Sequence, residues 1–272
     1  RYLGLSECDK FMVTDKDYGV CLPMLKCSRC GLVQTMEIVS ADEVLKLYNT
    51  DDQEYLKTAE ARGRSKYLQV KKILGERLRT VKSVFEIGAG SGSTLNCFKA
   101  GDRVEVGGLE PNAFFCDFSE RNFVITLRNA PLERIVADRQ YDLVVAIDVI
   151  EHVVSLNKFI DIVDKLLKTG GLLVIVTPNR ASLVARILGK SWWHIRPPHL
   201  YYLSSDNAVA LARQRNFALL ARSGFGWRHS VGYLLNCLQV FIFKKILINF
   251  SWLKINFNLN TFDSMTLLFQ KK

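Results

Sequence analysis

Long apolar runs are missing from this 272-residue chain: no stretch of eighteen apolar residues occurs, which argues against a membrane-spanning helix. A charged-then-apolar leader is also missing, and the chain opens at Arg1. The expectation is therefore a piece of a longer cytoplasmic protein rather than a secreted precursor. Acids are scarce in one region only. Residues 180–272 hold 13 Lys and Arg against Asp206 and Asp263, a balance of +11, whereas residues 1–179 hold 24 against 25, or −1. All of the net charge of +10 thus lies in the last third. That region is either a solubilising surface or a surface for an anionic acceptor, such as a sugar nucleotide or phospholipid headgroup, or for an anionic membrane. No RNA-binding module is added, which argues against nucleic acid as the partner. At 49% hydrophobic, the chain can bury one large α/β core with a small appendage at either end.

The cysteines lack a second C-x-x-C pair. Cys27-Ser28-Arg29-Cys30-Gly31 has the form of half a zinc knuckle, because two thiolates can grip one metal from a tight turn that glycine permits. Cys8 and Cys21 either complete an irregular site, or a first pair lies upstream of Arg1; free thiols and a disulfide stay open beside zinc.

What the sequence does hold is Val84-Phe85-Glu86-Ile87-Gly88-Ala89-Gly90-Ser91-Gly92-Ser93, an apolar β-branched run that ends in an acid and three alternate glycines. It describes a buried strand turning sharply into a helix, with backbone open to close approach by a ligand. A second acid, Glu110, closes the next apolar stretch about twenty residues on, where a doubly wound fold presents a carboxylate to ribose hydroxyls. The dinucleotide fingerprint wants its third glycine at position 93, which is Ser93. The odds shift to S-adenosylmethionine, whose sulfonium and ammonium favour carboxylates such as Glu86 and which has no pyrophosphate for the helix terminus.

Tyr141-Asp142-Leu143-Val144-Val145-Ala146-Ile147-Asp148-Val149-Ile150-Glu151-His152-Val153 and Leu166-Leu167-Lys168-Thr169-Gly170-Gly171-Leu172-Leu173-Val174-Ile175-Val176-Thr177-Pro178-Asn179 complete an ordered set of four blocks. Together FEIGAGSG, the acid of GLEPN, YDLVVAIDVIEHV and LLKTGGLLVIVTPN resemble class I S-adenosylmethionine-dependent methyltransferases over roughly residues 40 to 225. The amino-terminal CSRCGLVQ stretch further resembles the zinc-binding segment of a branch that methylates sugars. In those relatives two cysteine pairs are expected, and this chain departs from that.

The resemblance implies Glu86, Gly88, Ala89, Gly90 and Gly92 beside the methionine moiety, Glu110 on the ribose, Pro111 by the adenine and Leu132 near its edge. Asp148 would stand by the methionine ammonium, or would only cap the following turn. The adjacent Glu151-His152 pair is typical of that family, but His152 is read as stabilising its loop and is left out of the catalytic set. Any zinc would sit on Cys27 and Cys30.

Alternating patterns predict an α/β, doubly wound, mostly parallel seven-stranded sheet. Its strands are expected near 81–87, 103–110, 122–127, 141–147, 171–177, 217–225 and 264–270, the last antiparallel by resemblance. Helical stretches run from Ser93, Pro111, Pro131 and Leu156, and an earlier one begins at a capping box, Ser40-Ala41-Asp42-Glu43. Tyr48 and Tyr55 on it are read as core packing rather than a lid. The expected organisation is a cysteine-containing segment over 1–39 and a methyltransferase domain over 40–272. Within that domain, 182–205 forms an acceptor loop, and 231–257 forms a cap or partner surface in preference to a helix in a lipid interface.

The acceptor loop carries Ser191-Trp192-Trp193-His194-Ile195-Arg196-Pro197-Pro198-His199-Leu200-Tyr201-Tyr202. PPHLYYLS resembles the block in which many members of that branch place an active-site histidine. His199 is accordingly the candidate base, with Tyr202 and His194 secondary and a purely structural His199 left open. The acceptor is expected to be a sugar, sugar nucleotide or glycan precursor. A quinone or lipid at the membrane surface, or a non-catalytic nucleotide-binding domain, are the alternatives.

Overall fold

The computed structural model describes residues 21–36, 40, 43, 53–232, 235, 239, 248–250, 252–253, 255–259 and 262–272. Cys8, Tyr48 and most of the 231–257 stretch therefore lie outside the described residues.

Two short strands, Met24–Lys26 (β1) and Val33–Thr35 (β2), pair antiparallel around the Cys27–Cys30 turn. Ser40 and Glu43 make the expected capping box, with the Ser40 N–H donating to Glu43 Oε2 at 2.7 Å and the Glu43 N–H to Ser40 Oγ at 3.3 Å. Helices Gln53–Leu56 (α1) and Ala59–Leu74 (α2) follow, the second passing into a 3₁₀ turn, Gly75–Thr80. The alternating part then begins: Ser83–Ile87 (β3), Ser93–Gly101 (α3), Glu105–Leu109 (β4), Ala113–Phe123 (α4), Tyr141–Ile147 (β5), Leu156–Leu166 (α5) and Leu167–Pro178 (β6). Leu183–Leu188 (α6), Tyr201–Tyr202 (β7), Ser205–Arg213 (α7), Phe217–Gly224 (β8), Trp227–Ser230 (β9), Asn256–Leu259 (β10) and Ser264–Lys271 (β11) complete the described elements.

The main sheet has the order β4-β3-β5-β6-β11-β8. The first four strands are parallel, and β11 runs antiparallel to both β6 and β8. Its central strands read as continuous apolar runs because both faces are covered: Leu143–Ile147 and Leu172–Val176 are all buried. Each such side chain contributes about 1.5–3 kcal/mol on burial. Helices are set by local chemistry. Asn112 caps α4 through the Phe114 N–H at 2.9 Å, Ser155 caps α5 through the Lys158 N–H at 3.3 Å, and Ser204 with Asn207 forms a capping box for α7. On α5 the residues Phe159, Ile160, Ile162, Val163 and Leu166 make one buried stripe.

Six strands, not seven, make up the main sheet among the described residues. The strand expected at 122–127 is reduced to a single parallel bridge, Leu109 to Arg128. The reason is that α4 continues to Phe123 and ends at Val124 in the left-handed region (φ 53°), leaving too little chain to run beside β4. Ile125 and Leu127 still bury their side chains, which explains why the segment reads as a strand. Likewise, the helix expected from Pro131 is one 3₁₀ turn, Leu132–Arg134. No described helix is long and apolar enough to cross a membrane.

Because strand order diverges on either side of β3 and β5, the carboxyl ends of these strands open a crevice between them. Helix α2 closes over this crevice at a fixed height. A Cβ on Gly63 would stand 2.4 Å from Ser93 Cβ, 2.7 Å from Ser93 C and 2.9 Å from Thr94 N, so the α2 backbone lies directly against the start of α3. In an open helix Gly→Ala stabilises by about 1 kcal/mol. Here Gly63→Ala is expected to destabilise by about 1–3 kcal/mol through overpacking. Urea unfolding followed by circular dichroism reads the sign, and a gain in stability would show that α2 is free to lift away from α3.

Candidate active site

The glycine turn is held open by its own backbone. Gly88, Gly90 and Gly92 have φ of 70°, 53° and 74°, the left-handed region that other residues enter only with strain. The N–H groups of Gly88 and Ala89 both donate to the Leu109 carbonyl, at 2.8 and 2.9 Å, tying the turn to the end of β4. Glu110 reaches across that junction: Oε2 accepts from the Gly90 N–H at 2.7 Å and Oε1 from the Asn112 N–H at 2.9 Å. Tyr55 leans over the same turn, its hydroxyl 3.3 Å from where a Cβ on Gly90 would sit. Its ring lies 5.0 Å from Phe115, and the Arg62 guanidinium stacks 3.7 Å above it. Tyr55 thus both packs and covers.

Three buried acids, Glu86, Glu110 and Glu151, and the partly buried Asp148 gather behind the turn. Glu86 is 2% exposed and its Oε2 has no hydrogen-bond partner; burial first, then the neighbouring Glu110 charge, push its pKa up to about 8 against the pull of Lys66. Glu110 is pushed up to about 7 by burial, opposed by its two backbone N–H bonds. Asp148, at φ 54°, carries an unpartnered Oδ1, and burial pushes it up to about 6 against Lys66 and Arg196. Glu151 is held well above the carboxylate range by burial and by Asp148. Its Oε2 accepts from the Thr177 hydroxyl at 3.0 Å.

Lys66, on the face of α2 that looks into the crevice, was not singled out by the sequence. Burial opposes its charge, yet Tyr55, Asp148 and Glu86 hold its ammonium above lysine's usual range. One lysine among the many charges of α2 gives no signal of this kind until α2 is seen to cross Glu86.

The loop over 182–205 folds back onto the same acids. The N–H groups of Leu200 and Tyr201 both donate to the Glu151 carbonyl, at 2.8 and 3.1 Å, which seats His199 directly against Glu151 and His152. His152 and His199 meet edge to face with centroids 4.7 Å apart, and His194 stacks on the far side of His199 at 6.1 Å and 19°. Burial depresses His152 to about 3 and His199 well below the ordinary histidine range, with the Arg196 charge adding to both. His199 Nδ1 has no hydrogen-bond partner.

The remaining candidates sit elsewhere in function. Tyr202 is buried against Val33, Ala185 and Trp192, and its hydroxyl donates to the Arg196 carbonyl at 3.4 Å. Burial raises its pKa beyond the ordinary tyrosine value, so it is poorly placed to move a proton. His194 faces Asp263 at 3.5 Å, and Asp263 also accepts from the Trp192 indole N–H at 2.8 Å. Leu132 is part of the core with Leu109 and Ile150, while the Pro111 carbonyl accepts from the Asn129 amide at 2.9 Å.

Cys27 and Cys30 are exposed free thiols on a turn in which the Gly31 N–H donates to the Cys27 carbonyl at 3.0 Å and Gly31 has φ 71°. The backbone N–H groups of Cys30 and Arg29 lower the Cys27 thiol, as a metal-gripping turn requires. Among the described residues the one cluster of three potential metal ligands is instead Glu151, His152 and His199. Strand β2 pairs antiparallel with β7, the Asn207 amide donates to the Cys30 carbonyl at 2.9 Å, and the Thr35 N–H to the Leu200 carbonyl at 2.9 Å. The cysteine hairpin is therefore stitched to the strand that follows His199.

Comparison with known proteins agrees with this geometry. No curated protein matches the chain in sequence. Among solved structures, an S-adenosylmethionine-dependent methyltransferase from Archaeoglobus fulgidus superimposes with a TM-score of 0.53 at 18% identity, over 81% of this chain and 100% of that one. One from Thermotoga maritima gives 0.51 at 18% identity, over 80% and 95%. At these identities the likeness is one of fold. A family model described as a methyltransferase domain matches residues 59–222, more than half of the chain. The chain belongs to the methyltransferase-domain family, and it is an S-adenosylmethionine-dependent enzyme of that family.

Proposed function

We propose that the enzyme transfers a methyl group to a hydroxyl of a small polar acceptor, with a sugar or sugar nucleotide as the class, and that the acceptor lies between Asp148 and His199. The observation that carries this reading is the continuous line of buried acids from the glycine turn to the acceptor loop, ending in two unpartnered acceptor atoms, Glu151 Oε1 and His199 Nδ1. The residues fit the cofactor. Glu86 Oε2 and Asp148 Oδ1 are buried acceptors without partners, which a sulfonium and an ammonium would answer and a pyrophosphate would meet as like charge.

S-adenosylmethionine supplies an electrophilic methyl on sulfur, and in-line displacement asks the protein mainly for alignment, worth roughly 7–11 kcal/mol. Glu110, held in place by the Gly90 N–H, would take the ribose end, with Tyr55 over it. Glu86 and Asp148 would hold the amino-acid end while Lys66 moderates their charge. His199 accepts a hydrogen bond from the acceptor hydroxyl and turns its oxygen towards the methyl. A buried imidazole with a strongly depressed pKa is a weak base, so orientation rather than proton capture is its role.

The sugar class is supported by the amino-terminal resemblance. Zinc on Cys27 and Cys30 is supported by the turn geometry alone, and further ligands would have to come from outside the described residues. The membrane-surface alternative draws on the exposed apolar side chains Ile248, Trp252 and Ile255 together with the basic excess of the last third. Co-sedimentation with anionic vesicles distinguishes it.

Two outcomes follow from this site. Because cation binding must draw protons off Glu86 and Asp148, whose pKa values in the free protein are raised to about 8 and 6, affinity for the cationic cofactor should rise between about pH 5 and 8. The rise should be shallower for S-adenosylhomocysteine, which lacks the sulfonium charge. Calorimetry at several pH values reads both slopes, and equal or flat slopes would remove the acids from the methionine end. Separately, His199→Ala should lower turnover about 100-fold or more while S-adenosylhomocysteine affinity stays within about threefold. Retained turnover in a folded variant would make His199 a packing residue.

A further inference from the structure

Packing and the cofactor leave the Glu151, His152 and His199 cluster unexplained. Each residue offers one ligating atom, those atoms lie within 4.8 Å of one another, and all three side chains are buried. The ring protons can be assigned. His152 Nδ1 is 2.9 Å from the Pro198 carbonyl, which can only accept, so Nδ1 carries the proton and Nε2 keeps its lone pair. The His199 ring bonds to the His194 carbonyl while its Nδ1 has no partner, so the proton is on Nε2 and the Nδ1 lone pair is open. On Glu151, Oε2 is used by Thr177 and Oε1 is open.

Ligating atoms of three residues therefore gather in one small buried volume, and two of those residues, Glu151 and His199, carry a buried acceptor atom with no partner. A cation there would satisfy the unpartnered Glu151 Oε1 and His199 Nδ1 together. Fixing an imidazole through a backbone carbonyl on its other nitrogen is also how metal-binding histidines are oriented, and both rings here are held in that way. Charge agrees. Asp148 acts on Glu151 with its own Oδ1 unpartnered, and the three acids Glu86, Asp148 and Glu151 share only two cations, Lys66 and Arg196.

We propose that Glu151, His152 and His199 bind a divalent first-row transition cation beside Asp148, and that this cation receives the hydroxyl oxygen of the methyl acceptor. Two imidazoles and one carboxylate suit manganese, iron, cobalt or zinc better than calcium or magnesium, which take oxygen ligands. The site borders the cofactor crevice because Lys66 acts on both Asp148 and Glu86. The role given to the cation rests on the methyl-transfer reading above, with His199 then orienting the hydroxyl through the cation in place of the direct hydrogen bond. On the cation the hydroxyl proton is lost to water more readily, the oxygen lone pair forms the new O–C bond, and the S–C bond breaks with its electron pair kept by sulfur.

The test uses the full chain carrying Cys27→Ser and Cys30→Ser, so that the exposed thiols cannot take the metal, after chelator treatment. Titration with Mn²⁺, by loss of the free-ion electron paramagnetic resonance signal, and with Co²⁺, by calorimetry, should show one equivalent bound. Glu151→Gln and His199→Ala should each weaken binding at least ~10-fold. The near-isosteric Glu151→Gln decides the matter if the histidine variant does not fold. No binding by the folded chain, or equal binding in both variants, overturns the site. S-adenosylhomocysteine is titrated in parallel: cation binding without cofactor binding would sink the methyltransferase reading and leave the site standing, and the converse would sink the site alone.

Discussion

Burying several carboxylates in one crevice with too few counter-charges is the constraint on which this structure turns. Glu86, Glu110, Asp148 and Glu151 stand at or just beyond the carboxyl ends of β3, β4 and β5, and Lys66 and Arg196 are the cations that act on them. A domain pays for such an arrangement only where a ligand repays it. The surrounding devices follow from it. Parallel strands bring the acids to one edge, left-handed glycines free the space between them, and Gly63 lets α2 come close enough to deliver Lys66. Raised carboxylate pKa values are the free protein's accommodation: some of the charge is held off by protonation until a cationic ligand arrives.

Much of this was legible in the residues. Period-two and continuous apolar runs located the strands at Ser83–Ile87, Tyr141–Ile147 and Ser264–Lys271, and the alternate glycines located the turn, because each feature is a local response to burial or to backbone conformation. The strand expected near 122–127 was misread for the same reason. Ile125 and Leu127 are buried like strand residues, but α4 and the left-handed Val124 use up the length that pairing needs. Hydrophobic pattern reports burial; it does not report hydrogen-bond partners.

Site residues divide along the same line. Glu86, Glu110 and Asp148 each follow an apolar run, so strand logic alone places them at the crevice. Lys66 and Arg62 reach it from a helix whose sequence is charged nearly all round, and only the crossing of α2 over the turn selects them. Glu151 and His152 were visible as a pair, but His152 was read as stabilising its loop and Glu151 was given no role. Their significance depends on His199, 47 positions later, and that pairing is made by two backbone hydrogen bonds to the Glu151 carbonyl which no side-chain motif encodes. Tyr202 is the converse case: an aromatic in the right loop whose ring the core claims.

The amino-terminal hairpin belongs to the same mechanical unit as the acceptor loop. Strand β2 hydrogen-bonds to Tyr201 and Tyr202 on one side of that short stretch, while the Glu151 carbonyl takes the Leu200 and Tyr201 N–H groups. The peptide after His199 is thus gripped from two directions, by the hairpin and by the loop that follows β5. A two-residue strand is too short to hold its own register, so the hairpin supplies the rigidity that a positioning histidine needs. The Cys27–Cys30 turn joins the two strands of that hairpin, and the Asn207 amide on the Cys30 carbonyl ties it to the first turn of α7. Whatever stiffens this turn acts on the stretch after His199 through backbone pairing, and the hairpin of β1 and β2 is in that sense part of the scaffold that seats His199 against Glu151.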